Sequence, residues 1–179
     1  PDHILYEAHP HIGTNKLPEI VSEIRATIIS NGGEVRFNTK LTGLDIDDAK
    51  INGVVTNQGT IKTNHVILAT GHSARDVFKL LHKQQVAIEA KPFALGVRIE
   101  HSQTLIDQIQ YKCATRGDYL PPASYSLVHQ VKGRGVFSFC MCPGGIIAPA
   151  MTASDEVVVN GWSPSKRNGE VANSGFVVE

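Results

Sequence analysis

Among the side chains whose types can carry chemistry near neutral pH, three have a promising place in the sequence: His72, Arg98 and Cys140. His72 follows a glycine, and an imidazole there could act as an acid or a base. Arg98 lies in a strand-like segment, where its forked guanidinium could clamp a carboxylate or another anion. Cys140 begins a Cys-x-Cys pattern, which places both sulfurs on one face of a strand. These three residues are our candidate catalytic residues.

The cysteines have a simpler interpretation as well. Apart from Cys140 and Cys142 the chain holds only Cys113, and no histidine lies near them in the sequence, so we predict no zinc or other metal site. Free cysteines are mostly small buried hydrophobic residues. The functional alternative is that the Pro-Gly-Gly turn after Cys142, with Gly144 and Gly145, brings backbone close to a ligand while a cysteine lines the pocket.

Two other segments have the glycines that ligand sites use. The segment 65–69 is apolar and ends in Thr70-Gly71, and a glycine at the carboxyl edge of a sheet lets backbone approach a ligand closely. His11 and Gly13 precede a predicted helix, where backbone amides can hold an anion. The simpler interpretations are a strand-to-helix turn without a ligand and an ordinary helix cap.

Charge and hydropathy exclude several classes of partner. Seventeen basic residues balance seventeen acidic ones, so the formal charge is zero and neither nucleic acid nor an anionic membrane is favoured. The sequence has no signal peptide and no apolar stretch of spanning length. Three cysteines form an odd set, so a reducing compartment is the default, and we predict a cytoplasmic protein.

The periodicity of the first half predicts an α/β order. An amphipathic helix covers 17–28, capped by Thr14 or Asn15 and ended by Asn31-Gly32-Gly33. After it we predict three β segments joined by turns and, from Ser73, a helix with a Ser73–Asp76 capping box and a buried apolar face. We also predict strands at 34–38 and, buried on both faces as in a parallel sheet, at 65–69.

Beyond Gln84 the predicted elements are mostly strands. They cover 86–90, 93–100, 124–131, 135–142 and 156–161, with one short helix over 102–110. This favours a second domain with a mixed or antiparallel sheet. We predict a Rossmann-like α/β domain with a β-meander at 1–88 and a β-rich second domain at 89–179.

Several segments together resemble a family of bacterial FAD-dependent dehydrogenases, which are large, mostly uncharacterised flavoproteins with two dinucleotide-binding folds. The segments are Pro10–Asn15, Ile67–Ser73, Lys91–His101, Ser138–Gly145, Val157–Gly161 and Asn173–Ser174. Ala-Thr-Gly is shared by many flavoproteins, whereas the Lys91–His101 and Ser138–Gly145 segments are specific. The resemblance covers nearly the whole chain and implies an oxidoreductase that transfers a hydride or electron pair through FAD. It implies that 1–88 is a partial FAD-binding domain and that 89–179 is part of the domain that covers the flavin and the substrate.

The resemblance also assigns places to residues. It puts Lys40 and Leu41 toward the adenine, Thr70 and Gly71 near the cofactor, and the second domain over the isoalloxazine. The family has a G-x-G-x-x-G cradle near its amino terminus, which this sequence lacks. We therefore expect the chain to be the middle of a longer enzyme and to be inactive and free of FAD when alone. The use of NAD(P) stays open.

Two other classes of function compete with this hypothesis. One is a non-catalytic module that keeps the flavoprotein fold and binds a protein or RNA, although zero net charge disfavours RNA. The other is a cysteine-based redox protein, which needs exposed thiols of low pKa. We expect a small-molecule substrate, and we expect the chain alone to self-associate through exposed apolar surface and edge strands.

Overall fold

A computed structural model describes residues 5–6 and 10–179 of the chain. The chain forms two compact units: one combines the described part of Pro1–Ala26 with Pro92–Glu179, and the other is Thr27–Lys91. Both contain helices and antiparallel sheets, so the fold is a β-rich α+β fold. The division into domains at 1–88 and 89–179, and the roles given to them, stay predictions.

The first helix forms as the apolar spacing predicts. Helix α1 spans Leu17–Ser30 and follows a 3-10 turn at Thr14–Lys16. It ends at the predicted glycines, because the Gly33 amide donates to the Ile28 carbonyl at 2.9 Å. Neither predicted cap is used, since Gly13 stands at the cap of the 3-10 turn. Most of the apolar stripe of α1 is exposed, with Ile20 half-buried.

The unit Thr27–Lys91 is built on a meander. Strands β1 (Leu41–Asp47), β2 (Lys50–Thr56) and β3 (Gly59–Lys62) pair in sequence order and antiparallel, which confirms the three predicted β segments. Helix α2 (Arg75–Lys83) buries Val77 and Leu81. The Gln84 side chain ties the helix end to β1, accepting from the Leu44 amide at 2.9 Å and donating to the Leu44 carbonyl at 2.8 Å.

Three predicted strands are wrong. Residues 34–38, 65–69 and 86–90 form no strand, and Ile67 is 94% exposed rather than buried. A strand needs a neighbour to bond its backbone, and among the described residues these segments pair with none. Every strand pair among the described residues is antiparallel. The Rossmann-like interpretation therefore stays a prediction.

The start of α2 also differs from prediction. Ala74 stands at the cap without a side-chain bond, and the Asp76 carboxylate instead accepts from the Val77 amide at 3.0 Å. The predicted Ser73–Asp76 capping box is therefore wrong. The predicted buried apolar face is narrow: Val77 and Leu81 are buried, whereas Phe78 is exposed.

The other unit holds a four-stranded antiparallel sheet in the order β4-β9-β6-β5. Its strands are β4 (Leu95–Ser102), β5 (Val128–Val131), β6 (Arg134–Cys142) and β9 (Val171–Val178). A two-stranded sheet pairs β7 (Ile146–Pro149) with β8 (Val159–Trp162). The predicted antiparallel sheet is confirmed, although β5 and β8 are shorter than predicted and the sequence analysis missed β7 and β9.

Helix α3 (Gln103–Tyr111) supplies the core of this unit. Ile106 packs with Ala123 and Ala172, and partly buried aromatic side chains surround them. The helix was predicted at this position and is confirmed. Within residues 5–6 and 10–179, no helix is both long and apolar enough to cross a bilayer.

Candidate functional site

The unit containing β4–β9 has a cavity of about 810 Å³, which we call the glycine-lined cavity. It lies where the segment before α1, the turn between β6 and β7, and the loop after β8 meet. The lining residues are Thr14, Asn15, Leu17, Pro18, Val21, Gly144, Gly145, Ile146, Trp162, Ser163, Pro164, Asn168 and Gly169. Two of the segments singled out by sequence, Pro10–Asn15 and Ser138–Gly145, are thus brought together at one cavity.

Hydrogen bonds to the loop after β8 fix the first of these segments. His11 Nε2 donates to the Pro164 carbonyl at 2.9 Å, and the Thr14 amide donates to the Ser163 carbonyl at 3.0 Å. The Asn15 side chain accepts from the Ser165 amide at 2.8 Å. The Thr14 amide, which could have bound an anion, therefore already donates to a backbone carbonyl. His11 is bonded to the loop that lines the cavity.

Gly144 and Gly145 are required by the packing of the chain itself. A Cβ on Gly144 would overlap the Arg167 carbonyl, and one on Gly145 would overlap the Trp162 carbonyl. Gly144 also has φ +55°, a backbone conformation that only glycine adopts readily. Close approach of backbone to backbone therefore explains both glycines, and a cofactor is not needed to account for them.

A buried polar network supports the turn at Gly144 and Gly145. The Gln103 side chain accepts from the Gly144 amide at 2.8 Å and donates to Asp107 at 2.8 Å and to the Ala123 carbonyl at 3.0 Å. Asp107 also accepts from the Ala123 amide and from Arg116. Sequence reasoning missed this network, because Gln103 and Asp107 read as ordinary polar residues of a short helix.

Arg98 and Cys140, two of the candidate catalytic residues, are in contact. Both terminal nitrogens of Arg98 donate to the Cys140 carbonyl, at 3.1 and 3.2 Å, and one of them also donates to Asn173 Oδ1. The same nitrogen lies 3.9 Å from Cys142 Sγ. We call Arg98, Cys140, Cys142, Gly161 and Asn173 the arginine–cysteine cluster.

Irregular backbone brings the two thiols of the cluster together. The pairing of β6 with β9 shifts register between Phe139 and Cys142, and Cys140 has φ +48°. The two sulfurs are 3.9 Å apart, with Cys140 exposed and Cys142 buried. Burial and the neighbouring Cys140 raise the pKa of the Cys142 thiol, whereas the Arg98 charge acts in the opposite direction.

Gly161 and Asn173 complete the cluster. A Cβ on Gly161 would collide with Arg98 and would lie 2.5 Å from Asn173 Oδ1 and 2.6 Å from Cys142 Sγ. Asn173 is fully buried, and within the described structure its Nδ2 has no hydrogen-bond partner. A buried amide in this state calls for a polar partner such as water or a ligand. The family-like segments Val157–Gly161 and Asn173–Ser174 thus meet the Arg98 and Cys140 segments here.

The remaining candidates lie in the unit Thr27–Lys91, where Leu41 is half-buried and the others are exposed. Open space surrounds the position of a Cβ on Gly71, which follows Thr70 in a turn, and His72 Nε2 lies 3.3 Å from Ser73 Oγ. Lys40 forms an ion pair with Asp76 at 2.8 Å, which lowers the pKa of that carboxyl, and Leu41 begins β1. The roles of these residues stay predictions.

No group of three or more His, Cys, Asp or Glu side chains could hold a metal ion within residues 5–6 and 10–179. The Cys140–Cys142 pair, for example, has Arg98 beside it rather than a third ligand. A positive charge next to a thiol favours its thiolate form.

Two comparisons with known proteins bear on this arrangement. Residues 92–179 match the family model described as "FAD-dependent protein, C-terminal domain-like", which supports an FAD-dependent family. A protein of Clostridium beijerinckii named "Uncharacterized protein" is 42% identical over 180 residues, covering 99% of this chain and 34% of the relative. The chain thus spans about a third of the length of the curated relative that it matches.

Proposed function

We propose that the chain is part of a longer FAD-dependent oxidoreductase, a dehydrogenase of a small molecule, in which the glycine-lined cavity receives the flavin ring. The observation that carries the proposal is the meeting of Pro10–Asn15 and Ser138–Gly145 at one cavity, in a unit whose residues 92–179 match an FAD-dependent family. The bound flavin would supply two-electron chemistry, and the protein would supply its position and its surroundings.

The chemistry of the cavity suits a ring better than a phosphate. Leu17, Val21, Ile146 and Trp162 make its wall apolar, while hydroxyl and amide groups are few. Cofactor sites typically combine such a wall with a small number of polar groups. No lysine or arginine is among the lining residues, so the pyrophosphate of FAD would have to bind elsewhere.

The absence of lysine and arginine from the cavity lining fits the sequence, which has no glycine-rich phosphate cradle. We therefore propose that a Rossmann-like segment outside the chain binds the pyrophosphate, with Thr70 and Gly71 near the cofactor and Lys40 and Leu41 toward the adenine. NAD(P) as a second nucleotide, a cytoplasmic location and a role for His72 as an acid or base belong to the same proposal.

A matched pair of substitutions on α1 tests the place of the ring. Val21 and Ile24 are both exposed apolar residues of this helix, but only Val21 is among the residues that line the cavity. In the full-length product of the gene, Val21→Lys should lower the flavin bound per polypeptide severalfold, because it puts a desolvated charge against the ring. Ile24→Lys should leave the flavin content unchanged.

The outcomes separate the parts of the proposal. If both variants keep their flavin, the cavity is not the ring site, although the protein is still a flavoprotein. If the unsubstituted full-length protein carries no flavin and takes up none, the proposed function itself is wrong. A non-catalytic binding module would then be the remaining hypothesis.

A further inference from the structure

We propose that Cys140 and Cys142 form a dithiol site that is oxidised reversibly to an internal disulfide by exchange with a low-molecular-weight disulfide such as oxidised glutathione. The site consists of the exposed Cys140 thiol, the buried Cys142 thiol and the guanidinium of Arg98. It does not depend on flavin binding, and it is separate from the flavin-ring cavity proposed above.

The irregular backbone of β6 brings the two thiols close together. In a regular strand, residues two apart are separated by roughly 6.6 Å along the chain. The irregularity between Phe139 and Cys142 and the left-handed conformation of Cys140 bring the two sulfurs to 3.9 Å instead. A non-glycine residue in this conformation is uncommon, and such backbone outliers concentrate at functional sites.

The environments of the two thiols differ in the way that an exchange reaction needs. Cys140 is exposed, so a disulfide in solution can reach it, whereas Cys142 is buried. Arg98 lies 3.9 Å from Cys142 Sγ, where its positive charge favours the thiolate. Cys140 now raises the pKa of the Cys142 thiol, and this effect weakens once Cys140 is no longer a thiol.

The reaction balances in two steps. First, Cys140 loses its proton to solvent, its thiolate attacks one sulfur of the disulfide, a mixed disulfide forms on Cys140, and one glutathione thiolate leaves and takes up a proton from water. Second, Cys142 loses its proton to solvent and its thiolate attacks the Cys140 sulfur, which releases the second glutathione thiolate, and this also takes up a proton from water. The two protein thiols are oxidised, and oxidised glutathione is reduced to two molecules of glutathione.

Mass spectrometry of the 179-residue chain tests this directly. Trypsin places Cys140 and Cys142 together in the peptide Gly135–Lys166 and places Cys113 in a separate one, which makes Cys113 an internal control. The chain is incubated with micromolar oxidised glutathione, alkylated and digested. Since a nearby thiol acts at an effective concentration on the order of mM, the internal disulfide should exceed the doubly glutathionylated peptide at least about tenfold.

Variants separate the two steps. Cys142→Ser should trap glutathione on Cys140, and Arg98→Met should slow closure of the disulfide without changing the reaction of Cys113. The proposal is overturned if Cys140 and Cys142 are both recovered alkylated. It is also overturned if both are glutathionylated at the same rate as Cys113. The unsubstituted chain alone decides this, so the test does not depend on the folding of a variant.

Discussion

Replacing Gly144 by alanine tests whether the turn between β6 and β7 is held by close backbone packing. The new Cβ would overlap the Arg167 carbonyl, and the residue would have to keep φ +55°. The left-handed conformation costs about 1–2 kcal/mol for a residue with a Cβ. Overpacking against backbone that cannot move away adds about 1–3 kcal/mol. We therefore expect Gly144→Ala to lower the free energy of unfolding by about 2–5 kcal/mol.

Gly133→Ala is the matched control. Gly133 lies in the same unit, in the turn between β5 and β6, with φ +78° and open space where its Cβ would be. It should lose only the conformational part, about 1–2 kcal/mol.

The assay is urea unfolding of the 179-residue chain, followed by the fluorescence of Trp162, its single tryptophan. For a typical dependence of the unfolding free energy on urea concentration, the steric cost of Gly144→Ala separates the unfolding midpoints of the two variants by roughly 1 M urea. Equal midpoints for the two variants would refute the packing explanation.

Three further predictions concern other contacts. Gln103→Leu leaves the Gly144 amide without its partner and should cost about 1–3 kcal/mol in urea unfolding, whereas Gln108→Leu on the exposed side of α3 should change it by less than about 0.5 kcal/mol. Lys40→Met should raise the pKa of Asp76 in an NMR titration. The ion pair depresses the pKa of Asp76 in the folded state. The ion pair therefore stabilises the fold above the unfolded-state pKa of Asp76, and this stabilisation is lost as the pH falls through the folded-state pKa. An unchanged titration would contradict the pairing. Val97 is 70% exposed on the edge strand β4, so light scattering should detect self-association that Val97→Lys weakens and Val97→Ile preserves, and a monomer at all concentrations would contradict this.

The sequence predicts the locally determined parts of the fold well. The apolar spacing from Leu17 to Ile28 and the terminating glycines give α1, and the turn residues between β1, β2 and β3 give the meander. Both signals are local, since a helical period and a turn need no distant partner. The strand predicted at 65–69 fails because an apolar run specifies burial only where another strand or helix covers it.

The candidate site divides in the same way. Sequence reasoning selected Arg98 and Cys140, because their chemistry is visible in their side chains. It did not predict that Gln103 would support Gly144, or that Trp162 would line a cavity. Those relations depend on long-range pairings, such as β9 between β4 and β6, which periodicity does not reveal.

The visible absorption spectrum of the purified full-length gene product, with the 179-residue chain beside it, tests the central claim most directly. We expect a flavin band in the full-length protein at about one flavin per polypeptide, as one cavity can hold one ring, and none in the chain alone. Absence of the band from the full-length protein, even after FAD is added, would contradict the claim.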